Sequence, residues 1–223
     1  MYYAYAHKDK KKVKPSSRKW IQRQLTDQYV LQAQKDGYKS RAAYKLLQIH
    51  EKFQIFKKGN ITIDLGAAPG GWSQIAAKLS NATSTNKLVI ALDLLPMDKI
   101  AGVSNICGNF LDEQIQNKIW TQLGDHQADA VISDMAPNTT GERSTDYLRI
   151  MHLCSEAFSF AQKALKPGGS FIAKVFRGGT DHNILKEIKN HFTTVKHFKP
   201  LASRQESTEM YLIALGFKNL LNS

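Results

Sequence analysis

From residue 60 onward, short apolar runs rich in β-branched residues alternate with longer stretches whose apolar positions recur every three or four residues. The short runs predict strands and the longer stretches predict helices, so their alternation indicates a largely parallel sheet with helices packed on it. Strands are expected over residues 60–66, 87–93, 103–107, 129–135 and 170–176, and helices over residues 71–80, 111–124, 146–166 and 182–192.

The C-terminal part of the chain departs from this alternation. Two strand-like runs, residues 193–199 and 207–217, follow the last predicted helix with no helix between them. Strands joined without a crossover helix pair in opposite directions, so we expect a hairpin that adds an antiparallel edge to the sheet. The predicted fold class is therefore α/β, with a seven-stranded, mostly parallel sheet.

Positive charge is concentrated ahead of the predicted sheet. Residues 1–45 contribute +9 of the formal net charge of +12, from twelve Lys or Arg against three Asp. A one-sided positive field favours a polyanion, and nucleic acid is the natural partner because each neutralised phosphate releases counterions. For residues 8–14 alone, a solvated tail is an equal alternative. The candidate RNA-binding cations are Arg18, Lys19, Arg23, Lys39, Arg41 and Lys45.

The domain organisation follows from the same region. Residues 26–37 and 40–53 are amphipathic and predict two helices, the second with Ser40 as its N-cap. We expect a basic, flexible tail over residues 1–17, followed by a single domain over residues 18–223. The N-terminal helices of that domain, within residues 18–58, are expected to contact RNA.

The cysteines and the hydropathy of the chain argue against a disulfide framework, a zinc site, a membrane span and a secretory signal. Cys107 and Cys154 are far apart and lack a second pair or a histidine at metal-binding spacing, so neither a zinc site nor a disulfide framework is expected. No run of eighteen apolar residues occurs, and the basic N-terminus lacks the apolar core of a secretory signal. We expect a cytoplasmic chain without a metal or a membrane partner.

The segment DLGAAPGGWS, residues 64–73, joins a predicted strand to a predicted helix through a glycine-rich loop. In this arrangement backbone approaches a nucleotide-like ligand at the carboxyl end of a central strand, and Gly66, Gly70 and Gly71 leave room for it. The spacing differs from that of dinucleotide enzymes and lacks the lysine of a phosphate loop, so a pyrophosphate ligand is disfavoured. A tight turn that packs helix on strand is the alternative.

An acid at the end of the next predicted strand favours the ligand. Asp93 is placed to accept hydrogen bonds from a pair of ribose hydroxyls. A nucleoside without phosphates is what remains, and S-adenosylmethionine meets that description.

The chemistry is suggested by the segment DAVISDMAPN, residues 129–138, which ends the fourth predicted strand beside the glycine loop. Methylation of a base amine usually adds an aromatic residue here to stack on a flipped base, whereas this chain has Asn138. Methylation of cytosine carbon 5 needs a cysteine nucleophile, and neither cysteine lies in such a loop. Base methylation is thus disfavoured, and methylation of a ribose hydroxyl remains.

Four charged residues are candidates for that reaction. Lys174 lies in an apolar strand, where a charge is costly unless paired, and Asp134 on the neighbouring strand is its expected partner. Glu209 also lies in an apolar run, and Lys45 lies on the basic helix before the sheet. Singly, each charge is more easily explained as a surface or edge residue. Together they predict a site in which the charge of one lysine lowers the pKa of the other while the two acids orient it.

The motifs SRAAYKL, DLGAAPGGWSQ, DLLPMD, SDMAPN, KVF and EMYLIA resemble those of the FtsJ/RrmJ-type ribosomal RNA 2′-O-methyltransferases. The resemblance runs from about residue 16 to 217 and implies a Rossmann-like, S-adenosylmethionine-dependent methyltransferase fold. It also implies methylation of a uridine 2′-hydroxyl in large-subunit ribosomal RNA on the assembling ribosome, with S-adenosylhomocysteine as product. We expect a monomeric enzyme that needs no metal.

The resemblance also assigns residues. Its catalytic tetrad falls on Lys45, Asp134, Lys174 and Glu209, with Lys174 as the principal catalytic group. On this basis we expect Lys174, kept partly neutral by Lys45 and oriented by the two acids, to assist removal of the hydroxyl proton. Its cofactor contacts fall on Gly70, Trp72, Asp93 and Asp134. Asn109 stands where relatives commonly have an acid that meets the adenine amino group, and its carbonyl oxygen can still accept a hydrogen bond.

Two alternatives share these motifs. One is a 2′-O-methyltransferase acting on transfer RNA or on an mRNA cap. The other is a non-catalytic ribosome-assembly factor that has kept the fold.

Overall fold

The computed structural model describes residues 25–137, 140–177 and 182–219. Within the described residues, helices α1 (Gln28–Lys35) and α2 (Ala42–Phe53) precede the sheet. Asp27 caps α1, because its carboxylate accepts a hydrogen bond from the Tyr29 N–H. The cap predicted for the second helix was wrong: Arg41 occupies the N-cap position, and no side chain caps the helix.

The remaining elements form a seven-stranded sheet covered by helices, which confirms the predicted fold class. The strands are β1 (Thr62–Leu65), β2 (Val89–Asp93), β3 (Val103–Cys107), β4 (Ala128–Ser133), β5 (Leu165–Phe176), β6 (Phe192–Phe198) and β7 (Glu209–Phe217). The helices among them are α3 (Gly71–Ser80), α4 (Glu113–Leu123), α5 (Arg143–Ala164) and α6 (His182–His191).

The strand order is β3-β2-β1-β4-β5-β7-β6, with β1 at the point where the order reverses. Strands β1 to β5 pair in parallel, and β7 runs antiparallel to both β5 and β6. The C-terminal hairpin is therefore present as predicted, although its second strand is inserted beside β5 and β6 forms the edge. The carboxyl ends of β1, β2 and β4 meet at the switch point, where open α/β sheets bind ligands.

Side chains on the two faces of the sheet build two halves of the core. Every residue of β1 is buried, as expected for a central strand covered by helices on both sides. One face, with Ile63 and Leu65, packs with apolar residues of α4 and α5. The other face packs under α2 and α3, and Trp72 and Tyr211 are among its largest buried side chains.

Pairing between β5 and β7 fixes the relative positions of three functional candidates. Lys174 lies opposite Tyr211, and Phe176 lies opposite Glu209. Since side chains alternate along a strand, Glu209 and Tyr211 project from the same face of β7. The sheet thus brings Lys174 and Glu209 to the same end of neighbouring strands.

Candidate active site

The glycine loop leaves β1 at Gly66 and enters α3 at Gly70. Both glycines have positive φ angles, 77° and 111°, which residues with side chains rarely adopt. A Cβ atom on Gly66 would lie 2.8 Å from the backbone nitrogen and Cα of Met135. Gly66 therefore lets the loop pass close to the segment that follows β4.

Asp93, at the end of β2, is held in a fixed orientation by that loop. Its Oδ2 accepts a hydrogen bond from the Ala68 N–H at 2.9 Å, and its Oδ1 accepts one from the Leu95 N–H at 2.8 Å. Each carboxylate oxygen has further acceptor capacity. The placement suits the hydrogen bonds to ribose hydroxyls that the sequence predicts.

A cavity of about 510 Å³ opens at these strand ends, within the size range of small-molecule sites. Four of the predicted cofactor-binding residues line it, namely Gly66, Asp93, Asn109 and Asp134. The Asn109 carbonyl oxygen accepts a hydrogen bond from the Leu111 N–H at 3.1 Å, so one of its acceptor positions is already used within the loop. The cavity fits a nucleoside in size and in its acceptor groups.

Helix α5 supplies part of the cavity wall that the sequence did not indicate. Arg149, His152 and Leu153 line the cavity from this helix. The spacing of three and four residues places them on one helical face, but the same spacing occurs on any amphipathic helix. Nothing in the local sequence distinguishes these positions from ordinary packing.

The other three predicted cofactor-binding residues, Gly70, Gly71 and Trp72, do not line this cavity. A Cβ on Gly71 would lie 2.5 Å from the Ser40 Oγ, so this glycine permits close packing of α3 against the start of α2. The Trp72 side chain is buried, and its Nε1–H donates to the Ala42 carbonyl oxygen at 2.9 Å. Trp72 thus anchors α2 to α3.

Two of the four predicted catalytic charges meet directly behind the cavity. Lys174 Nζ lies 2.9 Å from Asp134 Oδ1, and it also donates to the Asp134 carbonyl oxygen at 2.7 Å. The Lys174 side chain is only 6% exposed. A buried lysine needs such partners, since an unpaired charge there would be costly.

The other two charges form a second pair. Lys45 Nζ lies 3.2 Å from Glu209 Oε2 and 5.8 Å from the centre of the Tyr211 ring. Helix α2 therefore delivers one cation to the sheet residues that hold the rest of the cluster. The structure brings all four predicted charges together around Tyr211.

The protonation states correct one part of the prediction. Burial alone would raise the pKa of Asp134, but the nearby charges of Lys174 and Lys45 outweigh it and hold that pKa below its ordinary value. Burial would likewise lower the pKa of Lys174, yet the carboxylates of Asp134 and Glu209 raise it above its ordinary value. The prediction that Lys45 keeps Lys174 partly neutral was wrong for the ligand-free protein, because two acids dominate its surroundings.

Tyr211 is a member of the cluster that the sequence reading missed. Its hydroxyl donates to Asp134 Oδ1 at 2.7 Å, the same oxygen that Lys174 contacts. Its ring is fully buried, 5.3 Å from that of Trp72. The available signal was its position two residues after Glu209, on the same face of an apolar strand.

The predicted RNA-binding cations are distributed differently. Arg18, Lys19 and Arg23 lie outside the described residues. Lys39 is on the surface, where it pairs with Asp98 at 2.8 Å. The Arg41 guanidinium instead lies against Asp27 and donates to the Ala202 carbonyl oxygen at 2.5 Å, with the side chain 15% exposed.

Two kinds of feature are absent from the described residues. No group of three or more His, Cys, Asp or Glu in residues 25–137, 140–177 and 182–219 is placed to hold a metal ion. Within the same ranges, no helix has both the length and the apolar character needed to cross a membrane.

The fold and the cavity together define a Rossmann-like methyltransferase, with the ligand cavity at the switch point of the sheet and a charged cluster behind it. Comparison with known families makes this specific. Residues 38–217 match the model of the FtsJ-like methyltransferases, and the chain belongs to that family.

Individual relatives agree with this assignment. The chain is 52% identical over 213 residues to the ribosomal RNA large subunit methyltransferase E of Rickettsia akari, covering 95% of this chain and 93% of that protein. It is 51% identical over 207 residues to the enzyme of the same name from Rhodopseudomonas palustris, covering 93% and 88%. A crystal structure described as a ribosomal RNA methyltransferase from Plasmodium falciparum superposes with a TM-score of 0.69 at 28% identity, covering 81% of this chain and 98% of that one.

Proposed function

We propose that this methyltransferase transfers a methyl group from S-adenosylmethionine to the 2′-hydroxyl of a uridine in large-subunit ribosomal RNA, acting as a monomer on the assembling subunit. The observation that carries the proposal is the position of Asp134. This residue lines the cavity, and its carboxylate and its backbone carbonyl oxygen both contact the Lys174 ammonium. A nucleoside-sized cavity and a cluster suited to a hydroxyl group therefore share one residue.

The residues present fit the methyl donor. The oriented carboxylate of Asp93 can accept from its ribose hydroxyls, and Asn109 at the cavity wall can contact its base. When bound, the donor supplies a methyl group on a sulfonium, which leaves as a neutral thioether. The names of the relatives support ribosomal RNA as the acceptor.

The protonation state of Lys174 shapes the mechanism. A charged ammonium has three N–H donors, and the two Asp134 contacts leave a third for the 2′-oxygen of the acceptor. This bond would orient the hydroxyl for in-line attack, which is a large part of what positioning supplies to such a reaction. As the new oxygen–carbon bond forms, the hydroxyl becomes a strong acid and its proton passes to solvent. Lys174 then works as a charged orienting group instead of the partly neutral base expected from the sequence.

The experiment compares transfer with cofactor binding in a matched pair of lysine variants. In Lys174→Ala, tritiated-methyl transfer to undermethylated large subunits should fall by at least about a hundredfold, the scale of a lost positioning group. Its affinity for S-adenosylhomocysteine, measured by calorimetry, should stay within a few-fold of the wild type. Lys163→Ala, which removes an exposed lysine from α5, should match the wild type in both assays. Full transfer by Lys174→Ala would end the assignment of this residue.

The alternative acceptors are separated by substrate. Transfer to large subunits should exceed transfer to naked ribosomal RNA, transfer RNA and capped RNA in the same assay. A preference for transfer RNA or capped RNA would favour the first alternative. Cofactor binding without transfer to any of them would favour an assembly factor that has kept the fold.

A further inference from the structure

Three polar side chains, one at the N-cap of α2 and two within the helix, lie on one helical face and reach the same neighbouring region. Arg41, Lys45 and Gln48 are spaced by four and three residues, and Arg41 already has helical φ and ψ angles of −59° and −21°. Lys45, in the middle, contacts Glu209. The other two, Arg41 and Gln48, form hydrogen bonds with the segment that leads to Glu209.

Both hydrogen bonds are made to the backbone of Ala202, in the connection between β6 and β7. The Ala202 N–H donates to Gln48 Oε1 at 2.8 Å, and the Ala202 carbonyl oxygen accepts from Arg41 Nη2 at 2.5 Å. Ala202 has no exposed surface. Both of its backbone polar groups are therefore satisfied by side chains of α2, as burial of backbone requires.

The connection is also stabilised by hydrogen bonds within itself. Lys199 Nζ donates to the carbonyl oxygens of Gln205 and Ser207, at 3.1 and 2.7 Å. Two residues after Ser207 the chain enters β7 at Glu209. A shift of α2 along the connection would move Lys45 relative to Glu209.

Arg41 is supported by a neighbouring acid rather than by solvent. Its Nη1 contacts Asp27, and Arg204 Nε lies 3.5 Å from the same carboxylate oxygen. The side chains of Arg41 and Asp27 are 15% and 11% exposed. This arrangement fits an internal anchor better than the phosphate contact predicted from the sequence.

The need for such an anchor follows from the origin of the four charges. Asp134, Lys174 and Glu209 belong to strands β4, β5 and β7 or follow directly from them, so backbone hydrogen bonds of the sheet set their spacing. Lys45 alone comes from a helix outside the sheet. Its position depends on how α2 docks, through Trp72 at one contact and Ala202 at the other.

We propose that Arg41 and Gln48 are positioning residues that fix α2 on the 199–208 connection so that Lys45 meets Glu209. The inference rests on the proposed function, because it takes the Lys45–Glu209 pair to serve methyl transfer. It assigns Arg41 a role in aligning the cluster, in place of direct contact with RNA.

The test uses Gln48→Leu, which removes the acceptor for the Ala202 N–H and keeps a similar volume. Gln162→Leu is the matched control, since it also removes a half-buried glutamine hydrogen bond, on α5. Single-turnover transfer to large subunits should fall about tenfold in Gln48→Leu, the scale of a small misplacement. Affinity for S-adenosylhomocysteine and the denaturation midpoint should change no more than in the control.

A second readout does not depend on methyl transfer. Acylation of Lys45 by acetic anhydride, followed by peptide mass spectrometry, should become at least about threefold faster in Gln48→Leu, because the loosened pair exposes its amine. Lys174, held in the sheet, should keep its wild-type rate. Arg41→Lys, which can serve only one of the two Arg41 partners, should change both readouts in the same direction and covers the case in which Gln48→Leu does not fold.

The outcomes separate the two proposals. Faster labelling of Lys45 in a protein that never methylates RNA would support the positioning role and count against the proposed function. An active wild type whose Gln48→Leu and Arg41→Lys variants transfer and label like the control would overturn the positioning role. A loss of transfer matched by equal losses of stability and cofactor affinity would also overturn it, because that pattern marks a purely structural contact.

Discussion

The Tyr211 hydroxyl offers the sharpest single-atom test of the charged cluster. Tyr211→Phe removes the donor to Asp134 Oδ1, a contact of 2.7 Å, and leaves the ring in place against Trp72. The change removes only the hydroxyl group, so the packing of the ring is retained. Asp134 keeps its contacts with Lys174 but is less well fixed in direction.

The expected magnitude follows from the charge of the acceptor. A hydrogen bond to an ionised group contributes about 1.5–3 kcal/mol, and Asp134 is ionised because its pKa lies below the ordinary value. For a chain of this size that loss lowers the melting temperature by roughly 3–12 °C. If the less well fixed Asp134 carboxylate weakens one contact in the transition state by about 1.4 kcal/mol, kcat falls about tenfold.

The assay pairs this variant with Tyr44→Phe. Tyr44 also donates to a carboxylate at 2.7 Å, that of Asp36, but on the exposed surface. Its loss should change the unfolding free energy by less than about 0.5 kcal/mol, as is usual for surface sites. If calorimetry shows equal, small effects for both variants and Tyr211→Phe keeps the wild-type kcat, then the hydroxyl does not fix Asp134 and the reasoning fails.

Two further predictions concern the cavity, and a third concerns a buried acid of strand β1. Gly66→Ala should abolish binding of S-adenosylhomocysteine in calorimetry, since its Cβ would lie 2.8 Å from the Met135 backbone at a φ of 77°; wild-type affinity would contradict this. Asn109→Asp should bind S-adenosylhomocysteine up to about tenfold more tightly, because a carboxylate has acceptor capacity beyond the Leu111 contact; a weaker or equal Kd would count against it. Burial, with the charges of Asp134 and Asp93, raises the pKa of Asp64 to about 7. The stability contributed by its protonated form is complete below the unfolded value of 3.8 and is lost as the pH rises to about 7, by at most about 4 kcal/mol. The free energy of unfolding of Asp64→Asn, measured with denaturant, should vary less with pH over this window than that of the wild type. An unchanged slope would contradict the raised pKa of Asp64.

Much of the fold was accessible from the sequence because its signals are local. Continuous apolar runs mark buried parallel strands, and the missing helix between residues 199 and 207 marks the antiparallel hairpin. The position of Asp93 and Asp134 at one cavity was predictable because parallel strands end at one edge of the sheet. That rule places their side chains near each other without any knowledge of tertiary contacts.

The four charges were also accessible, because Lys174 and Glu209 interrupt apolar strands. The protonation state of Lys174 could not be predicted from the sequence, because it depends on which charged side chains lie nearest to Lys174 in the folded protein. The sequence suggested that Lys45 acts on Lys174, whereas the structure pairs Lys45 with Glu209 and gives Lys174 two acids.

Residues with internal partners were the hardest to interpret. Trp72 in a ligand loop and Arg41 in a basic segment suggested cofactor and RNA contacts. In the structure their polar atoms contact the backbone of Ala42 and Ala202. Sequence alone shows the residue type but not whether a backbone group lies within reach, so anchoring and binding side chains cannot be told apart at that level.

The most direct test of the central claim is the chemical identity of the product. Large subunits from cells lacking the enzyme would be incubated with the protein and labelled S-adenosylmethionine, digested to nucleosides and resolved by liquid chromatography and mass spectrometry. We predict that the label is recovered as 2′-O-methyluridine and that Lys174→Ala yields none. Label recovered on a base, or on the ribose of another nucleoside, or no label at all in the presence of a cofactor-binding protein, would contradict the account.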